Sequence, residues 1–492
     1  VRAHPAGPLH GGMTPPPSVG LPPADLGALD PQVWPRSARR VGGELHLGGT
    51  PVTELVRAHG TPLFVLDEDD FRGRAADFAG AFDGADVHYA SKAFLCGQVA
   101  RWIADDGLHL DACSGNELAV ALAAGFPAER IALHGNNKSL LELRLAVDAG
   151  IGRIVVDSFD EIDRLVPLAE ASGRPVSVLV RATVGIEAHT HEFIATAHED
   201  QKFGFSLATG DALTAAVRVI REPSLHLAGL HSHIGSQIFD TAGFEAAAHR
   251  VVGLLGQVHQ ATGELLGELN LGGGFGIAYL PDDDPVPPVD VARRLRTVVA
   301  AECAALDLPV PRLAVEPGRA IAGPGTVTLY EIGTIKPVRL GSGGHGAPQV
   351  RNYVSVDGGM SDNIRTALYD ADYTCVLANR TSDAAPALCR VVGKHCESGD
   401  VLVRDLWLPS DVQPGDLLAV AATGAYCWSM ASNYNYLLKP PVVAVRDGAA
   451  TEVVRRQTLA DVFALDAVLA GTPAPSPAID QPAPEHPVGA RS

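Results

Sequence analysis

From about residue 86 to residue 330, short apolar runs alternate with longer amphipathic stretches. Eight runs stand out: DVHYASK, GLHLDACS, RIALHGNN, RIVVDS, VSVLVRAT, LAGLHSHIGS, ELNLGGGFG and RLAVEPGR. Each is rich in β-branched residues or leucine and closes on polar residues or glycine, as a buried strand leading into a loop does. Three of the intervening stretches open with a serine three residues ahead of a glutamate: Ser114 and Glu117, Ser139 and Glu142, Ser158 and Glu161. That spacing predicts a capping box at each helix start, with the serine accepting from the backbone and the glutamate reaching back. Gly125, Gly150 and Gly173 follow where such helices need a left-handed exit. Eight βα units in about 240 residues predict an α/β fold built on a (β/α)8 barrel, whose strands' C-terminal ends carry function. The polar residues of all eight runs fall at those ends. A doubly wound open sheet is the other arrangement of the same alternation.

The pattern changes beyond residue 326. VTLYEIGTIKPVRL, YVSVDGG, LCRVVGKHC, DVLVRDLWL, DLLAVAAT and PVVAVRDG read as strands, most of them separated by turns. They predict a C-terminal all-β domain, a small barrel or sandwich, which GELHLGGTPVTEL near residues 43–55 resembles in style. The expected boundaries are a Pro-rich disordered tail over 1–40 and a segment joining the β domain over 41–61. The barrel then spans 62–326, the β domain 327–470, and a second Pro/Ala-rich disordered tail 471–492. The first 31 residues hold eight prolines and no apolar core of the signal-peptide kind. Both tails read as solvated extensions, with docking as the other option.

Composition narrows the classes. Of 492 residues 46% are hydrophobic and 19% charged, enough apolar content for two or three folded domains. A formal charge of −19 argues against a nucleic-acid partner and against adsorption to anionic lipid. No apolar run is long enough to span a bilayer. Seven scattered cysteines without a C-x-x-C pair argue against a disulfide scaffold and a zinc ribbon and suggest a cytoplasmic setting.

Candidate chemistry clusters at the strand ends. Lys92 closes the first run, where burial would lower its amine's pKa and suit it to form a Schiff base with an aldehyde. Gly272, Gly273, Gly274 and Gly276 follow the seventh strand, where barrels commonly cradle phosphate with converging backbone N–H groups. Ser236, one strand earlier, could add a hydroxyl. His233 could stack on a flat ring, and His231 shares its face. Glu316, ending the eighth strand, could keep a pyridine nitrogen protonated, and Arg319 could grip a carboxylate. In the β domain, KHCESGD holds Cys396 and Glu397, GAYC holds Tyr426, and Arg365 and Tyr369 lie four apart, on one face if that stretch is helical. Each has an ordinary structural reading too: a salt-bridged lysine, a tight turn, a satisfied histidine, a Glu–Arg ion pair, a buried cysteine, a core tyrosine. Taken together they supply what pyridoxal 5′-phosphate (PLP) requires.

YASKA, HSHIGSQ, NLGGGFG, EPGR, CESGD and GAYC, in that order, resemble the fold-type III PLP-dependent decarboxylases with an alanine-racemase-like barrel, and within them the diaminopimelate decarboxylases. The resemblance covers roughly residues 40–470, and RRQTLADVFALD is similar to that family's closing helix. It implies that Lys92 carries PLP and His233 stacks on the ring. Ser236, Gly273, Gly274, Gly318 and Arg319 would bind the phosphate, Glu316 the ring nitrogen, and Tyr426 the phosphate side. Arg319, Arg365 and Tyr369 would bind the distal carboxylate of meso-2,6-diaminopimelate, with Glu397 and Tyr426 also at the substrate. Cys396, with Lys92 as rival, would reprotonate the carbon, and Cys396 and Glu397 would come from the partner subunit of a homodimer. No metal is implied. The implied activity is decarboxylation to L-lysine and CO2, the last step of lysine biosynthesis. An ornithine or arginine decarboxylase shares the fold, but the two arginines suit a distal carboxylate, and Glu397 stands where ornithine enzymes typically carry aspartate. A paralogue acting on a modified substrate stays open. Alanine racemase places an arginine where Glu316 stands. A non-enzymatic PLP-binding regulator would lack the β domain and its cysteine loop, or the catalytic set.

Overall fold

A computed structural model of the chain describes residues 21–185, 202–340 and 350–473. The Gly-rich stretch 341–349 and the outer parts of both expected tails lie outside the described residues.

The eight apolar runs form eight parallel strands: Asp86–Ala90, His109–Ala112, Ile131–Leu133, Arg153–Val156, Val176–Thr183, Leu225–His231, Glu268–Asn270 and Arg312–Val315. Each pairs with the next, and the eighth closes on the first through Ala314 against Asp86 and Val315 against Val87. The alternation is therefore a closed (β/α)8 barrel and not an open sheet. Its helices follow the local chemistry. In Ala242–Thr262, Phe244, Ala247, Ala248, Val251, Val252, Leu255 and Val258 form one buried stripe, and the helix ends at Gly263 with φ +80°. Burying each of the larger side chains contributes roughly 1.5–3 kcal/mol.

Only one of the three expected capping boxes forms in full, at Ser139 with Glu142. Ser114 and Ser158 cap their helices, but their glutamates go elsewhere. Glu117 accepts from the backbone of Cys113 (2.6 Å), and Glu161 pairs with buried Lys138 (2.8 Å). A buried ammonium competes successfully for a carboxylate, because leaving either charge unpaired in the interior costs more than an unmade cap.

The second domain is mainly sheet. Thr326–Arg339 is its long central strand, flanked by Val350–Val356 and Leu63–Asp67 and also paired with Leu417–Val420. Pro386–Val392 with Val401–Pro409, and Val442–Arg446 with Ala449–Val454, extend it on either side. Leu63–Asp67 thus belongs to this sheet, although the expected barrel began at residue 62. All five of its residues are buried, and it pairs antiparallel with Thr326–Arg339 and parallel with Val442–Arg446.

The expected tail over 1–40 is also corrected. Val33 and Trp34 are fully buried, packing with Leu45, Leu47, Leu63 and Leu329. Arg36 lies 3.2 Å from Asp70. A tryptophan buries about 150–250 Å² of surface, which suffices to hold such a segment despite its prolines. No helix among the described residues is long and apolar enough to cross a membrane.

Candidate active site

The first strand delivers Lys92 on a single 3-10 turn, Ser91–Ala93, at the mouth of the barrel. The β domain holds that turn down: Tyr426 N–H and Ser429 Oγ–H both donate to the Ala93 carbonyl, at 2.8 and 2.9 Å. Tyr426 makes this contact with φ +68°, a conformation unusual for a tyrosine and concentrated at functional sites.

Lys92, His233, Ser236, Gly273, Gly274, Glu316, Gly318, Arg319 and Tyr426 line one cleft of about 380 Å³. Its floor is built on glycine. Gly274 has φ +108°, and a Cβ there would sit 2.6 Å from the Gly235 carbonyl oxygen. A Cβ on Gly318 would meet Ala90 at 2.8 Å. Side chains at these points would push the loops apart, so glycine alone lets the backbone converge as an anion cradle requires.

Glu316 is buried at the inner end. His231 Nε2 lies 3.0 Å and His134 Nε2 3.5 Å from its Oε1. Burial alone would raise this carboxyl, but the two histidines hold it well below the usual carboxylate range. Oε1 has no aligned hydrogen-bond partner among the described residues. His233 accepts from the Gly273 N–H through Nδ1 at 3.3 Å, and burial together with the Lys92 cation pushes it down to about 3, so its ring is neutral. Lys92 departs from expectation. Burial does favour the neutral amine, but Tyr426, Cys113 and Glu316 outweigh it and its pKa is raised.

Beside this cleft a second, of about 610 Å³, is lined by Lys92, Ser236, Tyr279, Arg319, Arg365, Tyr369 and Tyr426, among others. Arg365 donates to the hydroxyls of Tyr279 (2.8 Å) and Tyr373 (2.7 Å). Arg319 donates to Tyr279 as well and to Ser236 Oγ at 2.9 Å. Two guanidinium groups thus meet on one phenol. Arg365 and Tyr369 do share the short helix Arg365–Tyr369, with Arg365 buried and Tyr369 61% exposed.

Cys396 and Glu397 line neither cleft; both are exposed. Their loop is firmly built. Asp400 accepts from His395 N–H (2.8 Å) and Met360 N–H (2.6 Å), and Asn435 accepts from Cys396 N–H (3.3 Å). Sequence reasoning passed over Asp111, Cys113, His134, Asn136 and Arg181, which also line the first cleft, and Tyr279 and Tyr373 beside Arg365. A signal was available for the first two. Asp86, His88 and Ala90, and then His109, Asp111 and Cys113, alternate along their strands, placing polar groups on one face of strands that otherwise read as core.

The arrangement fits pyridoxal phosphate on structural grounds: an amine at a strand end, a glycine cradle, a neutral imidazole, and a buried carboxylate kept ionised by two histidines. Comparison with known proteins agrees. The family model described as pyridoxal-dependent decarboxylase, pyridoxal binding domain, matches residues 68–323, and the pyridoxal-dependent decarboxylase C-terminal sheet domain matches 324–424. The chain is 59% identical over 444 residues to the diaminopimelate decarboxylase of Mycobacterium tuberculosis, covering 89% of this chain and 98% of that protein. It is 57% identical over 475 residues to that of Mycobacterium leprae, covering 95% and 100%. Among solved structures it resembles diaminopimelate decarboxylase from M. jannaschii in complex with L-lysine, with TM-score 0.81, 28% identity, and 88% and 98% of the two chains covered.

Proposed function

Because the chain belongs to the pyridoxal-dependent decarboxylases, we infer that it converts meso-2,6-diaminopimelate to L-lysine and CO2, the last step of lysine biosynthesis. The observation that carries the substrate choice is the pair Arg319 and Arg365, joined through Tyr279 beside the Lys92 cleft. Bidentate guanidinium groups suit a distal carboxylate, which ornithine and arginine lack at that position.

When bound, PLP would supply an electron sink for decarboxylation. The protein's part is to hold, orient and move protons. Lys92 would anchor the cofactor covalently. Gly273, Gly274, Ser236, Gly318 and Arg319 would bind its phosphate, with Tyr426 on the same side. His233, being neutral, would face the ring without opposing its positive charge. Glu316, kept ionised by His231 and His134, would hold the proton on the ring nitrogen. Arg319, Arg365 and Tyr369 bind the distal carboxylate of the substrate, and Glu397 takes the distal ammonium. Cys396 Sγ gives its proton to the carbon that has lost CO2. General acid catalysis of this kind contributes about 10²–10⁴-fold.

Within one chain Cys396 and Glu397 line neither cleft, yet their loop is held by Asp400 and Asn435 as a presented element. This supports a homodimer in which each subunit lends that loop to its partner's site. Seven unpaired cysteines, several of them buried, support residence in the reducing cytoplasm. The test is a competition assay in which PLP-loaded protein receives equal meso-diaminopimelate, L-ornithine and L-arginine, with products read by mass spectrometry. Lysine as sole product is the expected result. Putrescine or agmatine would overturn the substrate assignment.

A further inference from the structure

Barrel interiors are ordinarily filled by branched apolar side chains. In this barrel a line of titratable groups crosses part of the interior. Tyr89 stacks edge-on against Phe71 of the helix Glu68–Ala81 at 5.6 Å, so the alternate residues of its strand, Asp86 and His88, face inward. His88 Nδ1 lies 3.1 Å from Asp111 Oδ1. The same oxygen is 3.3 Å from His134 Nε2, which is 3.5 Å from Glu316 Oε1. His88 and Asp111 are 3% and 2% exposed, and neither the Nδ1 nor the Oδ1 atom has an aligned hydrogen-bond partner among the described residues. In the other direction the His88 ring is 4.7 Å from that of His109, whose Nε2 is 3.1 Å from Asp86 Oδ1. Asp86 also pairs with Arg312, and both line an open recess of about 520 Å³ at the barrel's N-terminal end.

We propose that His88, which lines neither cleft, is a positioning residue for Glu316. Through Asp111 and His134 it keeps the Glu316 carboxylate ionised and aimed at the ring nitrogen. The proposal rests on the reading that Glu316 meets that nitrogen. The physical case is charge balance. Glu316 and Asp111 are two buried carboxylates, each of which makes the other's ionisation harder. Glu316 is faced by His231, His134, His233, Lys92 and Arg181 as well as Asp111. Asp111 is balanced by His134 and His88. When His88 carries a proton, Asp111 is neutralised from the floor side, and His134 is released to serve Glu316. Without that cation Asp111 draws on His134, and the uncompensated negative charge makes Glu316 easier to protonate.

The test uses the holoenzyme loaded with PLP labelled with nitrogen-15 in the ring, in the native protein and in His88→Phe, His88→Gln, His134→Asn and Glu316→Gln variants. The nitrogen resonance and the release of cofactor are followed as pH falls. In the native protein the resonance changes where Glu316 takes up a proton. In His88→Phe that change is expected at least one pH unit higher, a tenfold lower proton concentration, with cofactor released correspondingly earlier. His88→Gln, which keeps a hydrogen bond but no charge, is expected to fall between. A native titration in a folded His88→Phe protein overturns the proposal. Should that variant fail to fold, His134→Asn must show the same upward displacement, and a native curve there overturns it equally. Glu316→Gln separates the two claims. If it leaves the resonance unchanged, the reading of Glu316 is what fails. If it abolishes the titration while His88→Phe titrates as native, only the relay fails.

Discussion

Replacing Arg365 by glutamine tests the distal pocket most directly. Arg365 is 6% exposed and gives its Nη1 hydrogens to two phenols at 2.7 and 2.8 Å. Its remaining donors and its charge are available to a substrate carboxylate in the adjoining cleft. A hydrogen bond to a charged group contributes about 1.5–3 kcal/mol, and a two-point grip on carboxylate lies at the upper end. Glutamine keeps a donor for one phenol but loses the charge and the fork. A loss of about 3 kcal/mol corresponds to roughly a 150-fold fall in kcat/KM for meso-diaminopimelate. Because the interaction is with a remote part of the substrate, most of the fall is expected in KM. Cofactor should be unaffected, since Arg365 does not line the cleft that holds Lys92 and Glu316. Steady-state kinetics with lysine detection, alongside PLP titration by absorbance, reads both. Unchanged KM, or loss of PLP in a folded protein, would refute the assignment of Arg365 to the distal carboxylate.

Other consequences follow from the same geometry. Gly274→Ala forces a Cβ to within 2.6 Å of a carbonyl oxygen at a φ of +108°; residues held in such backbone regions cost about 1–3 kcal/mol, so PLP affinity measured by titration should fall by roughly 5- to 150-fold. Lys138→Met leaves Glu161 buried without its cation and should destabilise the barrel by about 3–5 kcal/mol in urea unfolding, whereas removing both charges together should restore most of the loss. Glu316 and Asp111 both have folded pKa values below their ordinary 4.5 and 3.8. Their contribution to stability is therefore complete above those values and is lost as pH falls through the folded ones; urea midpoints should drop below about pH 4, less steeply in Glu316→Gln. Cys396→Ala should bind PLP normally yet turn over slowly. Mixing it with a Lys92→Ala protein should return a fraction of native activity if subunits exchange and share their sites, and no recovery would refute the shared site.

All eight barrel strands, and the six strands expected of the second domain, could be read directly from the chain. Their apolar runs are contiguous, and their glycines and cap residues act within a few positions of themselves. The strand-end positions of Lys92, the Gly272–Gly276 turn and Glu316 were legible in the same way, because a strand's C-terminal end is a local feature and the barrel then gathers eight such ends at one mouth. Where reasoning along the chain went astray, a distant competitor intervened. Glu161 abandoned its cap for Lys138, Trp34 left a proline-rich stretch for an apolar core, and Leu63–Asp67 joined a sheet whose other strands lie more than 250 residues further on. The meeting of Arg319 with Arg365 on Tyr279, and the line from His88 through Asp111 and His134 to Glu316, belong to the same category. No short-range pattern encodes them, because each link joins residues on different strands or domains. Their strength depends on a low-dielectric interior that exists only once the barrel has closed.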